Sequence, residues 1–150
     1  MVGHGAGISS LAMSPCGRQL ASGSVDGTIC IWDIAEGRRM HLLKGHRGPV
    51  WALDYSNGLE CSPILASGGA DCTLRFWGSA DEAASGGGLL KDGGQEAAAG
   101  DQQAGRSGSN IALLKTFTTK SIPVHSLRFS ATNLLTATGA LTLRQRANYG

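Results

Sequence analysis

The chain has 150 residues, with 13 Lys and Arg against 11 Asp and Glu and a formal net charge of +2. This near balance excludes the strongly basic surface of a dedicated nucleic-acid or membrane-binding domain. No apolar run approaches the roughly 18 residues of a membrane-spanning helix, and residues 1–10 do not resemble a signal peptide. The four cysteines form no Cys-x-x-Cys pair, which favours reduced intracellular thiols over a disulfide framework.

Short apolar segments follow one another from the start of the chain. Each segment is too short for a helix, and the residues between them include the Gly, Pro, Asp and Ser typical of turns between strands. They predict four antiparallel strands, at residues 8–13, 19–24, 28–32 and 40–43.

This unit is then repeated. A Gly-His pair opens each of two copies, 42 residues apart, and in both copies Asp follows Ser by four residues and Trp follows Asp by six. A fixed spacing of this kind indicates one structural unit used twice. The second copy has three additional residues, which we assign to a longer first turn at 58–63. The repeated polar residues are His4, Ser22, Asp26 and Trp32 in the first copy and His46, Ser67, Asp71 and Trp77 in the second.

The composition changes after the second Trp. Residues 78–110 contain 16 Gly and Ala, two Leu and no aromatic residue. Such a segment buries too little apolar surface to offset its ordering entropy, so we expect it to be disordered. Residues 111–115 match the fourth strand of the first unit, which makes the insert a loop between the third and fourth strands of the second unit. A tolerated surface insertion without function is the simplest interpretation.

A third, incomplete copy ends the chain. The spacing from Val124 to Ala137 is 13, the same as from Ile8 to Ala21. The Asp and Trp of the repeat are missing after Gly139, so we predict two strands, with 141–144 as a candidate third. The matching segments are 122–130 with 48–56, and 135–139 with 64–68.

Ser, His and Asp are also the residue types of a hydrolase triad. The set occurs once in each copy, however, whereas catalysis requires a single site, and the chain has no Gly-x-Ser-x-Gly motif or Gly-rich phosphate loop. The Cys and His residues lie at dissimilar places in the copies, which argues against a zinc site. We therefore predict that the protein is not an enzyme, with no catalytic residue, no cofactor and no metal site.

The Gly-His pair, the Ser-Gly-Ser strand, the turn Asp and the closing Trp-Asp resemble the WD repeat, the blade of a β-propeller. The resemblance implies a buried network in which Asp holds the imidazole, the imidazole meets Ser, and Ser meets the indole N–H. A propeller closes with about 4–8 blades. We therefore expect an all-β, partial WD-repeat β-propeller, with two complete blades plus an incomplete C-terminal blade, at the C-terminal end of a longer propeller.

The expected organisation follows from this assignment. It comprises the first blade and three strands of the second at 1–77, the insert at 78–110, the last strand of blade two and the incomplete blade at 111–144, and a tail at 145–150.

The C-terminal segments 113–129 and 133–140 further resemble the WD-repeat TBP-associated subunit of transcription factor TFIID, its subunit 5. That resemblance implies a nuclear, non-enzymatic scaffold in RNA polymerase II transcription initiation, with histone-fold TBP-associated factors as partners and no direct contact with nucleic acid or membrane. A related SAGA-type complex is equally compatible. The alternatives are a WD-repeat substrate receptor of a ubiquitin ligase and a ribosome-biogenesis scaffold.

We also expect a partner-binding rim. It is formed by residues at the start of the first strand of each blade and by the residue just before the turn Asp. Trp51 is the most prominent rim residue, because a large aromatic side chain on a polar rim is a typical hot spot. The alternative is that Trp51 packs within its own blade. The predicted rim consists of Gly7, Ser9 and Val25 in the first blade, Pro49, Trp51 and Ala70 in the second, and Pro123 and His125 in the third.

Overall fold

Three antiparallel sheets form the architecture of the computed structural model, which describes residues 3–57, 63–79 and 111–139. Two sheets have four strands each and the third has two, so the predicted all-β fold class is confirmed. Within the described ranges, no helix is long and apolar enough to cross a membrane. The strands are β1 (Ile8–Met13), β2 (Gln19–Ser24), β3 (Thr28–Asp33), β4 (Arg38–Lys44), β5 (Val50–Tyr55), β6 (Leu65–Gly69), β7 (Thr73–Ser79), β8 (Ile111–Thr118), β9 (Val124–Phe129) and β10 (Leu135–Gly139).

Each complete blade is a meander in which consecutive strands pair, β1-β2-β3-β4 in blade one and β5-β6-β7-β8 in blade two. Strand β7 runs two residues further than the sequence predicted. Gly78 and Ser79, which we had placed in the insert, pair with Ala112 and Ile111, because β8 supplies partners for their backbone groups. The predicted disordered segment, the candidate third strand and the tail lie outside the described residues, at 80–110, 141–144 and 145–150.

The turn between β2 and β3 packs directly against the start of blade two. Gly27 has a φ of +81°, a left-handed conformation that favours glycine. A Cβ atom at this position would lie 2.9 Å from the backbone oxygen of His46. The turn therefore requires glycine both for its conformation and for its contact with the next blade.

Two hydrophobic cores lie between neighbouring sheets, one at each inter-blade seam. This arrangement is expected of a repeat protein, because each blade buries its apolar face against the next. The first seam joins Ala21, Ile29, Ile31 and Leu43 of blade one to Val50, Leu53, Tyr55, Leu65 and Trp77 of blade two. The second joins Ala52 and Ala66, with Leu74 and Phe76, to Val124, Leu127, Phe129 and Leu135.

Hydrogen bonds also cross both seams. At the first, the Ser10 hydroxyl donates to the backbone oxygen of Val50 over 3.1 Å. At the second, Asp54 accepts a hydrogen bond of 2.6 Å from the backbone N–H of Phe129. A carboxylate that accepts a backbone N–H forms a charge-assisted bond, which is stronger than a bond between neutral groups.

The third hairpin, β9–β10, is shifted by one residue from the alignment made on sequence. Leu135 lies opposite Phe129, as Leu65 lies opposite Tyr55, because the turn after β9 is one residue shorter than the turn after β1. A slip of one residue exchanges the two faces of a strand. Ala137 consequently occupies the register position of Ser22 and Ser67, and Thr138 that of Gly23 and Gly68.

We predict that Gly23→Ala destabilises the purified protein by about 1–3 kcal/mol through overpacking. The added Cβ would lie 2.5 Å from Oγ of Ser10 and 2.8 Å from Cγ1 of Val50. Urea denaturation is the measurement. Gly7→Ala is the matched control, because a Cβ there meets no atom within 4 Å. Adding Val50→Ala should recover part of the loss, and independent, additive effects of the two substitutions would contradict the proposed contact.

Candidate functional site: the buried tetrads and the rim

Blade two brings its four repeated polar residues into one hydrogen-bonded chain. The indole Nε1 of Trp77 lies 2.8 Å from the Ser67 hydroxyl oxygen, and that oxygen lies 2.8 Å from Nε2 of His46. Nδ1 of His46 is 3.0 Å from Oδ1 of Asp71. The Ser67 residue and the His46 side chain are both 0% exposed. The chain thus connects β7, β6, the loop before β5 and the β6–β7 turn.

Blade one forms the same chain with one difference. Trp32 and His4 both contact the Ser22 hydroxyl, at 2.8 and 2.7 Å. Nδ1 of His4, however, is 3.8 Å from the nearest Asp26 oxygen and 3.1 Å from the hydroxyl of Thr28. That hydroxyl donates to Asp26 over 2.6 Å. The direct Asp–His contact expected from sequence is therefore present in blade two only, and Thr28 mediates it in blade one.

The chemistry of the end groups fixes the direction of every hydrogen bond in the chain. An indole N–H can only donate, so the Ser67 oxygen accepts from Trp77, and an ionised carboxylate can only accept, so Asp71 accepts from Nδ1–H of His46. With the single proton of a neutral imidazole on Nδ1, the Ser67 hydroxyl donates to Nε2. Because both ends are fixed, His46 must be the neutral Nδ1–H tautomer for all four groups to be satisfied.

The glycine that precedes each histidine is needed because the indole ring lies against it. A Cβ on Gly45 would lie 3.0 Å from the Cη2 atom of Trp77, and one on Gly3 would lie 2.9 Å from the same atom of Trp32. The Gly-His pair of each blade therefore packs directly against the tetrad tryptophan of that blade.

The acidic members have lowered pKa values. Burial alone would raise the pKa of Asp71, but hydrogen bonds from the Arg47 backbone N–H and from His46 outweigh it and leave the pKa below its usual range. Burial likewise raises the pKa of Asp26, but hydrogen bonds from the Thr28 hydroxyl and backbone N–H outweigh it and lower the pKa to about 2. Both carboxyl groups are therefore ionised at neutral pH and act as acceptors only.

Four of the predicted rim residues are joined in pairs by backbone hydrogen bonds. The backbone oxygen of Gly7 accepts a hydrogen bond from Val25 N–H at 3.0 Å, and the oxygen of Pro49 accepts one from Ala70 N–H at 2.9 Å. Ser9 directs its hydroxyl into the seam rather than outward, since it donates to the backbone oxygen of Val50 over 2.5 Å.

Trp51 and His125 form a stacked pair across the second seam. Their ring centroids are 4.3 Å apart and the ring planes differ by 11°. Trp51 is partly exposed and His125 is exposed. Trp51 therefore packs on the next blade, an arrangement that neither of the two sequence interpretations included. Pro123 precedes β9, next to this pair.

Comparison with known proteins identifies the repeat. The family model described as WD domain, G-beta repeat, matches residues 1–33 and 37–78, which together are half of the chain. The chain belongs to the WD40 repeat family.

Individual WD40 relatives resemble the same blades. The chain is 37% identical over 75 residues to eukaryotic translation initiation factor 3 subunit I of Neurospora crassa, a match covering 50% of this chain and 21% of that protein. It is 39% identical over 79 residues to the ribosome biogenesis protein WDR12 homolog of Chlamydomonas reinhardtii, covering 51% and 18%. It is 47% identical over 49 residues to WD repeat-containing protein VIP3 of Arabidopsis thaliana, covering 33% and 15%.

Among solved structures, the crystal structure of RRP9 WD40 repeats is similar with a TM-score of 0.59 and 20% sequence identity, covering 85% of this chain and 29% of that one. At this identity the similarity shows the fold alone. The chain thus spans less than a third of each of these WD40 proteins. None of the three relatives described above is a TFIID subunit, so the predicted resemblance to that subunit finds no support in them.

One participant in the WD40 tetrads was missed on sequence. Thr73 lies 3.2 Å from Nδ1 of His46 and donates to Asp71 over 2.8 Å, which matches the role of Thr28 in blade one. The repeat itself could have indicated this threonine, because Thr follows the turn Asp by two residues in both copies. The inter-blade partners Asp54 and Ser10 had no such repeated signal.

We predict that Trp77→Phe lowers the free energy of unfolding by about 1–3 kcal/mol, because it leaves the Ser67 hydroxyl oxygen without its donor in a buried site. Trp32→Phe should have a similar effect at Ser22. Denaturant unfolding of the purified variants is the measurement. Trp51→Phe, which retains a ring outside the tetrads, is the control. Unfolding midpoints for the two tetrad variants that equal the parent value would show that the networks contribute nothing.

We also predict that acid destabilises the protein in the range where histidine titrates. Burial lowers the pKa of His46, and Asp71 offsets this only in part. A lowered folded-state pKa means that stability is fully present above the unfolded value of about 6.5 and is lost as the pH falls below it. Protonation would also turn Nε2 from an acceptor into a donor, so the buried hydroxyl hydrogen of Ser67 would lose its acceptor.

Urea titrations between pH 7.5 and 5 measure this effect. His46→Gln should make the dependence on pH shallower without abolishing it, because burial also lowers the pKa of His41. An unchanged slope in the variant would assign the acid sensitivity to other groups.

Proposed function

We propose that this WD40 chain is part of a non-enzymatic scaffold that joins protein subunits of an assembly in ribosome biogenesis or translation initiation. The observation that carries the proposal is the Trp51–His125 stack, an aromatic surface on the rim that belongs to neither tetrad. The kind of assembly is supported by the relatives, which are named as a ribosome biogenesis protein and an initiation factor subunit.

The state of the two serines supports a scaffold rather than a hydrolase. Ser22 is 1% exposed and Ser67 is 0% exposed. Each hydroxyl accepts from a tryptophan and donates to a histidine, so its hydrogen is already committed. Ser67 is in addition fully enclosed, whereas Ser22 helps to line a cavity of about 310 Å³ beside blade one. A nucleophile needs access to the reacting carbon and an adjacent site for the developing negative charge. The Ser, His and Asp residues therefore serve blade construction.

The rim supports a protein partner. An indole held flat against an imidazole has little side-chain freedom left to lose on binding, which reduces the entropic cost of ordering an interface. Tryptophan is also among the residues most enriched at binding hot spots. The rim residues Gly7, Val25, Pro49 and Ala70 would border this anchor, with their backbone groups held by the paired hydrogen bonds described above.

This proposal replaces the TFIID hypothesis as the preferred function. The histone-fold partners and the nuclear location were implied by that resemblance alone, and the relatives named above do not support them. The ribosome-biogenesis scaffold, an alternative on sequence, now has the stronger support.

Affinity purification of the tagged protein and of its Trp51→Ala variant tests the proposal. We expect ribosome-assembly or initiation-factor subunits to co-purify with the parent. Loss of a hot spot worth about 2 kcal/mol should weaken their retention by about 30-fold in the variant. Quantitative mass spectrometry measures both the identity and the amount of the retained subunits.

Phe117→Ala is the matched control. Phe117 is also an exposed aromatic residue packed on another ring, Phe76, at 5.9 Å, but it lies on β8, at the opposite edge of the sheet from the strand β5 that carries Trp51. The control should lose a similar small amount of thermal stability and keep its partners. Retention of all partners by Trp51→Ala would overturn the rim assignment. Recovery of TFIID subunits with the parent would overturn the assembly assignment.

A further inference from the structure

The loop that enters blade two differs from the loop that enters blade one by an arginine. Arg47 follows the tetrad histidine of blade two, whereas Gly5 follows that of blade one. The backbone N–H of Gly5 donates to Asp26 over 2.7 Å. The backbone N–H of Arg47 donates to Asp71 in the same way, over 3.0 Å. Because glycine makes this bond equally well, blade construction does not require the side chain of Arg47, and Arg47 is exposed.

A second arginine of blade two lies on β7, close to the same loop. Arg75 pairs with Ser67 in register, and the corresponding position in blade one is held by Cys30, which is 0% exposed. A Cβ on Gly45 would lie 3.0 Å from Nη1 of Arg75. The guanidinium group of this partly buried residue therefore reaches the loop that carries Arg47.

The guanidinium group of Arg75 has few acceptors within the protein. Among the described residues it makes one long hydrogen bond, 3.3 Å from Nε to the hydroxyl oxygen of Thr73, and it joins none of the ion pairs found there. Burial lowers the pKa of Arg75, the Asp71 carboxylate opposes this effect, and the positive charge of Arg47 adds to it. An arginine does not lose its proton in proteins, so the cost of burying its charge is relieved only by an acceptor.

The local balance of charge favours a carboxylate as that acceptor. The two guanidinium groups carry two positive charges, and Asp71, which is ionised and close to Arg75, offsets one of them. The remaining single charge matches a carboxylate, whereas a phosphate monoester would bring nearly two negative charges towards Asp71. The planar fork of a guanidinium group also matches the two oxygen atoms of a carboxylate.

We infer that Arg47 and Arg75 form a carboxylate-binding site, which takes an Asp or Glu side chain from an acidic segment of a protein partner. The inference rests on the proposed scaffold function, because it gives the chemistry of one contact with a partner subunit. Arg47 lies four residues before Trp51, so one loop and the strand that follows it carry both the carboxylate site and the aromatic part of the rim.

Fluorescence anisotropy tests this inference with a labelled peptide of alternating Glu and Gly, titrated with the full chain. A matched peptide with Gln in place of Glu should not bind. Arg47→Gly retains the backbone N–H that donates to Asp71, so it should stay folded and weaken binding of the Glu peptide about tenfold. Arg75→Gln should weaken binding by a similar factor. Thermal unfolding of both variants shows whether the blade is intact.

The matched control is Arg39→Gln. Nη1 of Arg39 lies 3.3 Å from the backbone oxygen of Gly3, so this guanidinium group reaches the corresponding loop of blade one. Gly5 stands there in place of a second arginine, and the control should therefore bind the Glu peptide like the parent.

Weaker binding in both blade-two variants, with parent-like binding in the control, supports the inference. An equal loss in the control would show a general attraction of acidic peptides to basic side chains, and would overturn it. Equal affinity of the parent for the Glu and Gln peptides would also overturn it, as would tighter, arginine-dependent binding of single-stranded RNA of similar length. The assay contains no other subunit, so such a failure is distinguishable from the absence of co-purifying subunits that would contradict the proposed function.

Discussion

A single buried hydroxyl in each complete blade determines how the rest of the blade is arranged. Ser22 and Ser67 each accept from an indole and donate to an imidazole, so three elements that are distant in sequence meet at one oxygen atom. Because the oxygen is buried, losing either neighbour leaves a polar group unsatisfied in a region of low dielectric. The glycine before the histidine, the turn carboxylate and the threonine beside it all follow from the need to complete this chain. In the third hairpin, as far as the structure describes it, Ala137 holds the same register position and offers no hydroxyl for such a network.

The sequence predicted the features of the fold and of the site that have a regular or repeated pattern. The strand positions in blade one came from short apolar segments separated by turn residues, and the eight tetrad residues came from offsets that occur twice. That Thr28 rather than Asp26 contacts Nδ1 of His4 could not be predicted, because it depends on a small difference between the His–Asp distances of the two blades, 3.8 Å in blade one and 3.0 Å in blade two. The one-residue slip of the third hairpin was missed because the spacing of 13 from Val124 to Ala137 equals that from Ile8 to Ala21. The turn after β9 is one residue shorter than the turn after β1, so equal spacing does not mean the same face of the strand. The Trp51–His125 stack joins residues 74 positions apart and leaves no local signal.

The two seams use different chemistry at equivalent positions. In the first, Ser9 and Ser10 hold the backbone oxygen of Val50. In the second, Trp51 stands in the register position of Ser9 and stacks on an imidazole. The apolar packing beneath is similar in both, since alanine, valine and leucine recur at the equivalent positions Ala21 and Ala66, Val50 and Val124, and Leu53 and Leu127. A repeat protein can in this way keep the main positions of its core while each seam presents a different surface to a partner.

Strand β8 has a consequence for the order in which the chain folds during synthesis. Blade one is continuous, with β4 beginning five residues after β3 ends, at Asp33 and Arg38. Blade two receives its fourth strand only from Ile111, well after β7 ends at Ser79. A growing chain emerges from its N-terminus, and domains fold as their parts become available. Blade one can therefore complete its ladder while β7 still has an unpaired edge, and such an edge is open to pairing with other chains until β8 arrives. The interval between translation of Trp77 and of β8 is thus a period in which the nascent protein depends on protection from aggregation.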